Sequence, residues 1–371
     1  MMRLHGEEDS LSFAKPESLP AKADYTTLQN SYWVEVPADW MEEGLELSIN
    51  LDGESVYATT PSFGDAINLY MTIVPMVVNG VQSNTPSESE LIDTLKMHWP
   101  LSEVFIEWRE PFIVERPGSE LSPSELLHML RDLYVQEGAQ HFYHGFFPLQ
   151  ELGTQDALGI AYLAGRVGIT SGRAASNVFA HELGHNFSIG HIACGGPSNV
   201  ETQFPYSPNT IGSTGISHDF TRTYAGGEYR DLMSYCGPKF ISDWVYEKAQ
   251  DFLTLNPPPS FDSSVADIGM MSFSQPSSST YLSGFIDQVN NEYRVINHFE
   301  LSQPAGRGEY GPFMLIATDR QGGQYERRFA IDKMSESTSE RNGYFNVRIP
   351  AMGIEHVSVF YNGREIFSSK L

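Results

Sequence analysis

Near the start of the chain apolar and polar residues alternate twice: Tyr32, Val34 and Val36, then Leu45, Leu47 and Ile49, followed by an Asp52-Gly53 turn. Period two is the spacing of a half-buried strand, so residues 31–60 read as antiparallel strands. Residues 70–78 are apolar enough for a further strand. Thr85-Pro86-Ser87-Glu88 has the form of a capping box with proline at the first helical position. The helix it opens carries Leu91, Ile92, Leu95 and Trp99 on one face. Residues 104–108 return to strand. Ser122-Pro123-Ser124-Glu125 is a second capping box, ahead of Leu126, Leu127, Leu130, Leu133 and Tyr134 at helical spacing. Residues 159–164 read as a strand, glycines follow at 165, 168 and 172, and helices are expected over 174–187 and 241–253.

The same pattern divides the chain. Residues 1–24 are polar, carry Pro16 and Pro20, and read as an extended or disordered arm. Residues 25–64 form an N-terminal β segment, and 65–256 mix strands with the helices. Pro257-Pro258-Pro259 and the Ser- and Asp-rich residues after it read as a linker over 257–264. Few contacts are expected across such a linker, so the part before it should fold without the part after. Within 265–371, short alternating runs at 313–317, 345–349 and 357–361 are separated by Gly, Asn and Asp turns. They predict an all-β, sandwich-like module. The fold class is α+β.

Composition narrows the function. With 40% hydrophobic and 12% aromatic residues, the 371-residue chain can bury real cores. Its 47 acidic residues against 23 basic ones give a formal charge of −24, which repels a phosphate backbone and excludes nucleic acid as a partner class. The longest apolar stretch, 69–81, is too short for a membrane span. The first nine residues hold no apolar core of an export signal.

One stretch carries chemistry: His181-Glu182-Leu183-Gly184-His185-Asn186-Phe187-Ser188-Ile189-Gly190-His191. On a helix, His181 and His185 lie one turn apart on one face and can grip one ion. Glu182 sits beside the first of them, placed to reach a water on the metal without being a ligand. The helix should end near Phe187 or Ser188, and a turn over 188–190 then brings His191 round as a third nitrogen. Three protein ligands leave a fourth position open, the arrangement of a catalytic rather than a structural zinc.

These residues resemble the extended zinc motif of the metzincin clan of metallopeptidases, and are similar to its secreted bacterial members. The resemblance covers about 65–255. It implies a metzincin-like zinc peptidase domain over 65–256, one catalytic Zn²⁺, and a protein or peptide substrate cut by a metal-activated water with Glu182 as general base. It implies a methionine turn beneath the metal, matched by Asp231-Leu232-Met233-Ser234-Tyr235-Cys236, with Met233 as a packing residue and Tyr235 as an oxyanion donor. The strand Gly159, Ile160, Ala161 and Tyr162 becomes the upper rim of the cleft, pairing with an extended substrate. Gly237-Pro238-Lys239-Phe240 becomes a wall of the pocket beyond the scissile bond. Ser188 departs from the clan, which has glycine there. A serine at positive φ costs on the order of 1 kcal/mol, and Gly190 is the alternative residue to make the turn.

Cys194 and Cys236 follow the third ligand and the methionine turn by three residues each. If the turn lies under the metal as the resemblance implies, the two form a disulfide, and the protein is secreted or extracytoplasmic with its signal peptide missing from this chain. Two other readings stand beside the peptidase: a non-catalytic, zinc-stabilised binding or adhesion module, and a zinc hydrolase of a non-peptide amide. Intact Glu182 argues against the first. His218 with Asp219, and His141 with His144, read as loop and core residues rather than second metal sites.

Overall fold

The computed structural model describes residues 1–16, 18, 21–22, 31–116, 121–152, 157–172, 175–261, 278–305, 311–336, 342–351 and 353–371. The chain begins with β1 (Met2–Leu4) and β2 (Glu7–Asp9), then β3 (Glu46–Leu51) and β4 (Glu54–Thr59). These four make one antiparallel sheet in the order β2-β1-β3-β4. The expected arm is therefore a hairpin over its first nine residues, because Met2 and Leu4 bury themselves against Leu45. Three-residue strands are too short to announce themselves by periodicity. The alternation Tyr32, Val34, Val36 forms no strand. Only Trp33 makes a bridge, to Ala14, while Tyr32 stays exposed. Asp52 and Gly53 make the expected turn, both at positive φ.

The second sheet positions the site. Its elements are β5 (Asn68–Val78), β6 (Val81–Gln82), α1 (Glu88–His98), β7 (Glu103–Trp108), β8 (Phe112–Val114), α2 (Pro123–Gln136), β9 (Phe142–Phe147), β10 (Gly159–Ala161), β11 (Val167–Ser171) and α3 (Ala175–Asn186). The strand order is β10-β11-β9-β5-β6, with β7 and β8 also pairing β5. β7, β5, β9 and β11 run parallel, and β10 is an antiparallel edge. Parallel strands are covered on both faces. Leu69, Met71 and Ile73 of β5 face the core under α1 and α3, while Val74, Met76 and Val78 face the core under α2. The first cap lies two residues later than the Thr85 box. Ser87 accepts from the Glu90 N–H, and Glu90 returns the bond to the Ser87 N–H. At the second, Ser122 caps α2 as expected, with Pro123 at the first position.

Short pairs follow, β12 (Gly215–Ile216) with β13 (Thr223–Tyr224) and β14 (Arg230–Asp231) with β15 (Lys239–Phe240). Helix α4 (Asp243–Leu255), capped by Ser242, joins the core of α1 and α3 through Val245, Ala249 and Leu253. Among the described residues the C-terminal part is all β: β16 (Ser279–Asp287), β17 (Glu292–Leu301), β18 (Phe313–Asp319), β19 (Gln324–Phe329), β20 (Asn342–Pro350), β21 (Ile354–Tyr361) and β22 (Arg364–Lys370). Two sheets, β17-β16-β20 and β19-β18-β21-β22, enclose a core of Leu282, Phe313, Leu315, Phe345, Val347 and Val357.

This module does not hang on a contact-free linker. Residues 262–264 of the expected linker lie outside the described residues, but Phe261 packs edge-on against Tyr70 and His141. Strand β16 is buried on both faces. Leu282 and Ile286 enter the sandwich, whereas Tyr281 joins the core of α2 with Leu301, Met334 and Tyr344. Buried Asp132 of α2 accepts hydrogen bonds from Tyr281 (3.0 Å) and Ser283 (2.9 Å), and the Tyr344 ring stacks on His128 at 4.5 Å. Apolar and polar surfaces of the two parts close onto each other.

Candidate metal centre

Helix α3 ends in a Schellman arrangement. Ser188 sits at φ 66°. Its N–H donates to the His185 carbonyl (2.9 Å), and the Ile189 N–H donates to the Gly184 carbonyl (3.1 Å). Ser188, not Gly190, makes the left-handed turn. The turn delivers His191, held by bonds to 199 and 201: its N–H donates to the Asn199 carbonyl and its own carbonyl accepts from the Glu201 N–H.

The structure brings His181, His185 and His191 together, with their ligand nitrogens within 4.8 Å of one another. All three rings are buried. Each Nδ1 faces a backbone carbonyl: His181 faces Leu232 (2.9 Å), His185 faces Ile189 (2.8 Å) and His191 faces Ser198 (2.7 Å). A carbonyl only accepts, so each Nδ1 carries the proton and each neutral ring turns a bare Nε2 inward. The Nε2 atoms of His181 and His185 are 3.1 Å apart. Two lone pairs at that distance repel unless a cation lies between the rings. Burial keeps the rings neutral: it pushes His185 down to about 3, and lowers His181 well below the ordinary histidine range, with His185 adding to the effect. Backbone acceptors behind metal-binding imidazoles fix their tautomer and aim. The donor set fits a divalent ion.

Glu182 is buried beside His181, and its Oε2 has no hydrogen-bond partner among the described residues. Burial, then the charge of Glu336, raises its pKa well above the usual carboxylate range, with Lys239 opposing. Gly159 makes room for it: a Cβ there would stand 2.6 Å from the Glu182 carboxylate oxygen Oε1. Gly184 does the same beneath the helix, where a Cβ would meet the Met233 sulfur at 2.5 Å and the Trp99 ring at 2.8 Å. Met233 is fully buried there as the floor of the site.

Asp231 shapes the methionine turn. One of its carboxylate oxygens accepts from the Met233 N–H (2.7 Å) and the other from the Ser242 N–H (2.9 Å). The turn and the third-ligand loop are zipped by Ile192 N–H to the Met233 carbonyl and Tyr235 N–H to the Cys194 carbonyl, both 2.9 Å. A disulfide joins Cys194 to Cys236. Tyr235 reaches the site, its hydroxyl 3.3 Å from His191 Nε2 and donating to Glu336 at 2.5 Å.

Glu336 is the residue that sequence reasoning missed. It lies in a loop of the all-β module with no ligand spacing around it, and only the packing of the module onto β10 brings it in. Its Oε1 is 3.5 Å from His191 Nε2. The rim residues Gly159, Ile160 and Ala161 form β10, the sheet edge, and Tyr162 follows, but all four are buried. Tyr162 is bridged to Met334. Elsewhere, His141 and His144 bond to Thr72 and Thr170 within the core, and Asp219 receives bonds from Thr221 in an exposed loop. Neither pair adds to the metal cluster.

No helix among the described residues is long and apolar enough to cross a membrane, and this, like the disulfide, is compatible with an extracellular protein. No known protein-family model matches the chain, and no curated protein matches it.

Proposed function

We propose that the chain is a secreted zinc-dependent endopeptidase of the metzincin type. One observation carries the reading: three buried imidazoles, each with Nδ1 committed to a carbonyl, converge through bare Nε2 atoms beside a buried carboxylate that has a free oxygen. A methionine turn under the helix and an antiparallel edge strand ahead of it support the assignment to this clan. His181, His185 and His191 would hold the ion, which when bound supplies Lewis acidity for a water and for a peptide carbonyl. Glu182, pushed up by burial, holds a proton more readily than an ordinary carboxylate. It takes one from the attacking water and gives it to the leaving amine. Tyr235 offers its hydroxyl to the developing oxyanion.

Purified protein should contain about one zinc per chain, and His185→Ala should lose most of it. Glu182→Gln should keep the zinc and lose about two to four orders of magnitude in casein or peptide turnover. Chelator-insensitive activity, or equal activity in Glu182→Gln, would overturn the mechanism. A zinc-stabilised binding module is the second reading. It draws support from the filled edge of β10, and predicts that Glu182→Gln changes nothing.

A further inference from the structure

Segment 333–336 pairs with the end of β10 and the two residues after it through one antiparallel bridge. The Leu163 N–H donates to the Lys333 carbonyl (2.9 Å), and the Ser335 N–H donates to the Ala161 carbonyl (2.8 Å). The two bonds flank the antiparallel pair Tyr162 and Met334. This is how an extended peptide binds a sheet edge: main-chain bonds hold it, whatever its sequence. Side chains reinforce the position. Ser335 Oγ accepts from the Ala161 N–H (3.3 Å), Asn199 donates to the Ser335 carbonyl (2.7 Å), and Met334 is buried in the core of α2. The next residue, Glu336, turns its carboxylate onto the metal centre, against His191 Nε2 and the Tyr235 hydroxyl.

The contact with His191 has a defined chemistry. His191 Nδ1–H is committed to the Ser198 carbonyl, so its Nε2 is a bare acceptor, and a carboxylate oxygen is an acceptor too. Two acceptors 3.5 Å apart lack a proton between them, and a cation shared by both removes the conflict. Three imidazoles and one carboxylate make a four-donor set of a kind zinc accepts.

We propose that Glu336 is a fourth protein ligand of the metal, and that 333–336 occupies the substrate edge, so that the chain in this conformation is latent. Release of the segment from β10 frees both the edge and Tyr235, and activation is a displacement of the C-terminal module's loop. This inference rests on the metal-dependent peptidase reading and adds its regulation.

The test uses the full chain loaded with Co²⁺ in place of zinc, as wild type, Glu336→Gln and Ser335→Pro. The proline removes the N–H that bonds Ala161 while keeping the carboxylate. Two readouts are taken: the visible absorption of the cobalt ion, and its titration with acetohydroxamate, a small ligand that needs an open coordination position. Glu336→Gln should change the cobalt spectrum and bind acetohydroxamate at least about tenfold more tightly than wild type. Ser335→Pro should move the same way. Peptide turnover by the zinc forms of both variants should rise by a similar factor. Identical spectra and identical acetohydroxamate affinities in all three proteins would overturn the proposal, whether or not casein is cut. Altered spectra with no turnover in any zinc form would uphold Glu336 as ligand and remove the peptidase reading instead.

Discussion

Ser188 takes a left-handed conformation at the end of α3 with its side chain exposed. The helix needs that conformation, because the two bonds that close its last turn run from the N–H groups of 188 and 189. A glycine meets the demand without a Cβ penalty, at the cost of more freedom in the unfolded chain. Ser188→Gly should therefore raise stability by about 0.5–1 kcal/mol, read as a higher urea midpoint with an unchanged slope and unchanged zinc content. A lower midpoint would show that the serine contributes more than a turn. At this scale most of the site was legible. His181, Glu182, His185 and His191 share one local motif, and local spacing is what a helix translates directly into geometry. Gly184 and Gly159 were visible as residues but not as reasons, since each owes its smallness to a side chain remote in sequence or across the sheet. Glu336 was invisible, because its approach depends on how two whole modules pack.

Among the elements, all four helices were legible in the sequence, α1 and α2 by their capping boxes; α2 starts where expected, and α1, α3 and α4 start one or two residues later. β11 was not. Gly168 and the polar end Thr170–Ser171 weaken the strand signal, and its burial between β9 and β10 leaves no polar alternation to read. The third-ligand loop and the methionine turn are the elements whose mutual position the function depends on. His181 and His185 are held by the helix, whereas His191 depends on the loop and on its disulfide to the turn. Replacing both Cys194 and Cys236 by Ser should cost about 4 kcal/mol in the chain-entropy account of a closed loop with 42 residues of separation. It should also weaken zinc binding about tenfold through His191, measured by chelator competition. Unchanged zinc affinity with reduced stability would mean that the backbone bonds between loop and turn suffice to place His191.

For the molecule as a whole, the parallel sheet has two faces to cover. Helices α1, α3 and α4 cover one. Helix α2 covers only part of the other, and the C-terminal module covers the outer side of α2 and the edge at β10. The alternating runs after the prolines revealed that module as all β, but not its docking. Of the residues that dock, Tyr281, Leu301 and Tyr344 lie on β16, β17 and β20 and Met334 lies in the loop beside β10, all outside the alternating runs that marked the module in the sequence. Removing the chain after residue 261 would take those four side chains from the core of α2. At about 1.5–3 kcal/mol for each large side chain, the loss is on the order of 10 kcal/mol, comparable to the whole stability of a typical domain. It would also strip Asp132 of its bonds from Tyr281 and Ser283, leaving a carboxylate that burial has already raised above the usual range without those partners. The truncated protein should therefore be insoluble or bind a hydrophobic dye without a cooperative unfolding transition, while the full chain unfolds in a single step. A soluble truncation with a sharp transition would show that the part holding the three histidines folds alone. Carrying neither Glu336 nor the segment on β10, it would then have an open cleft, and its peptide turnover would exceed that of the full chain.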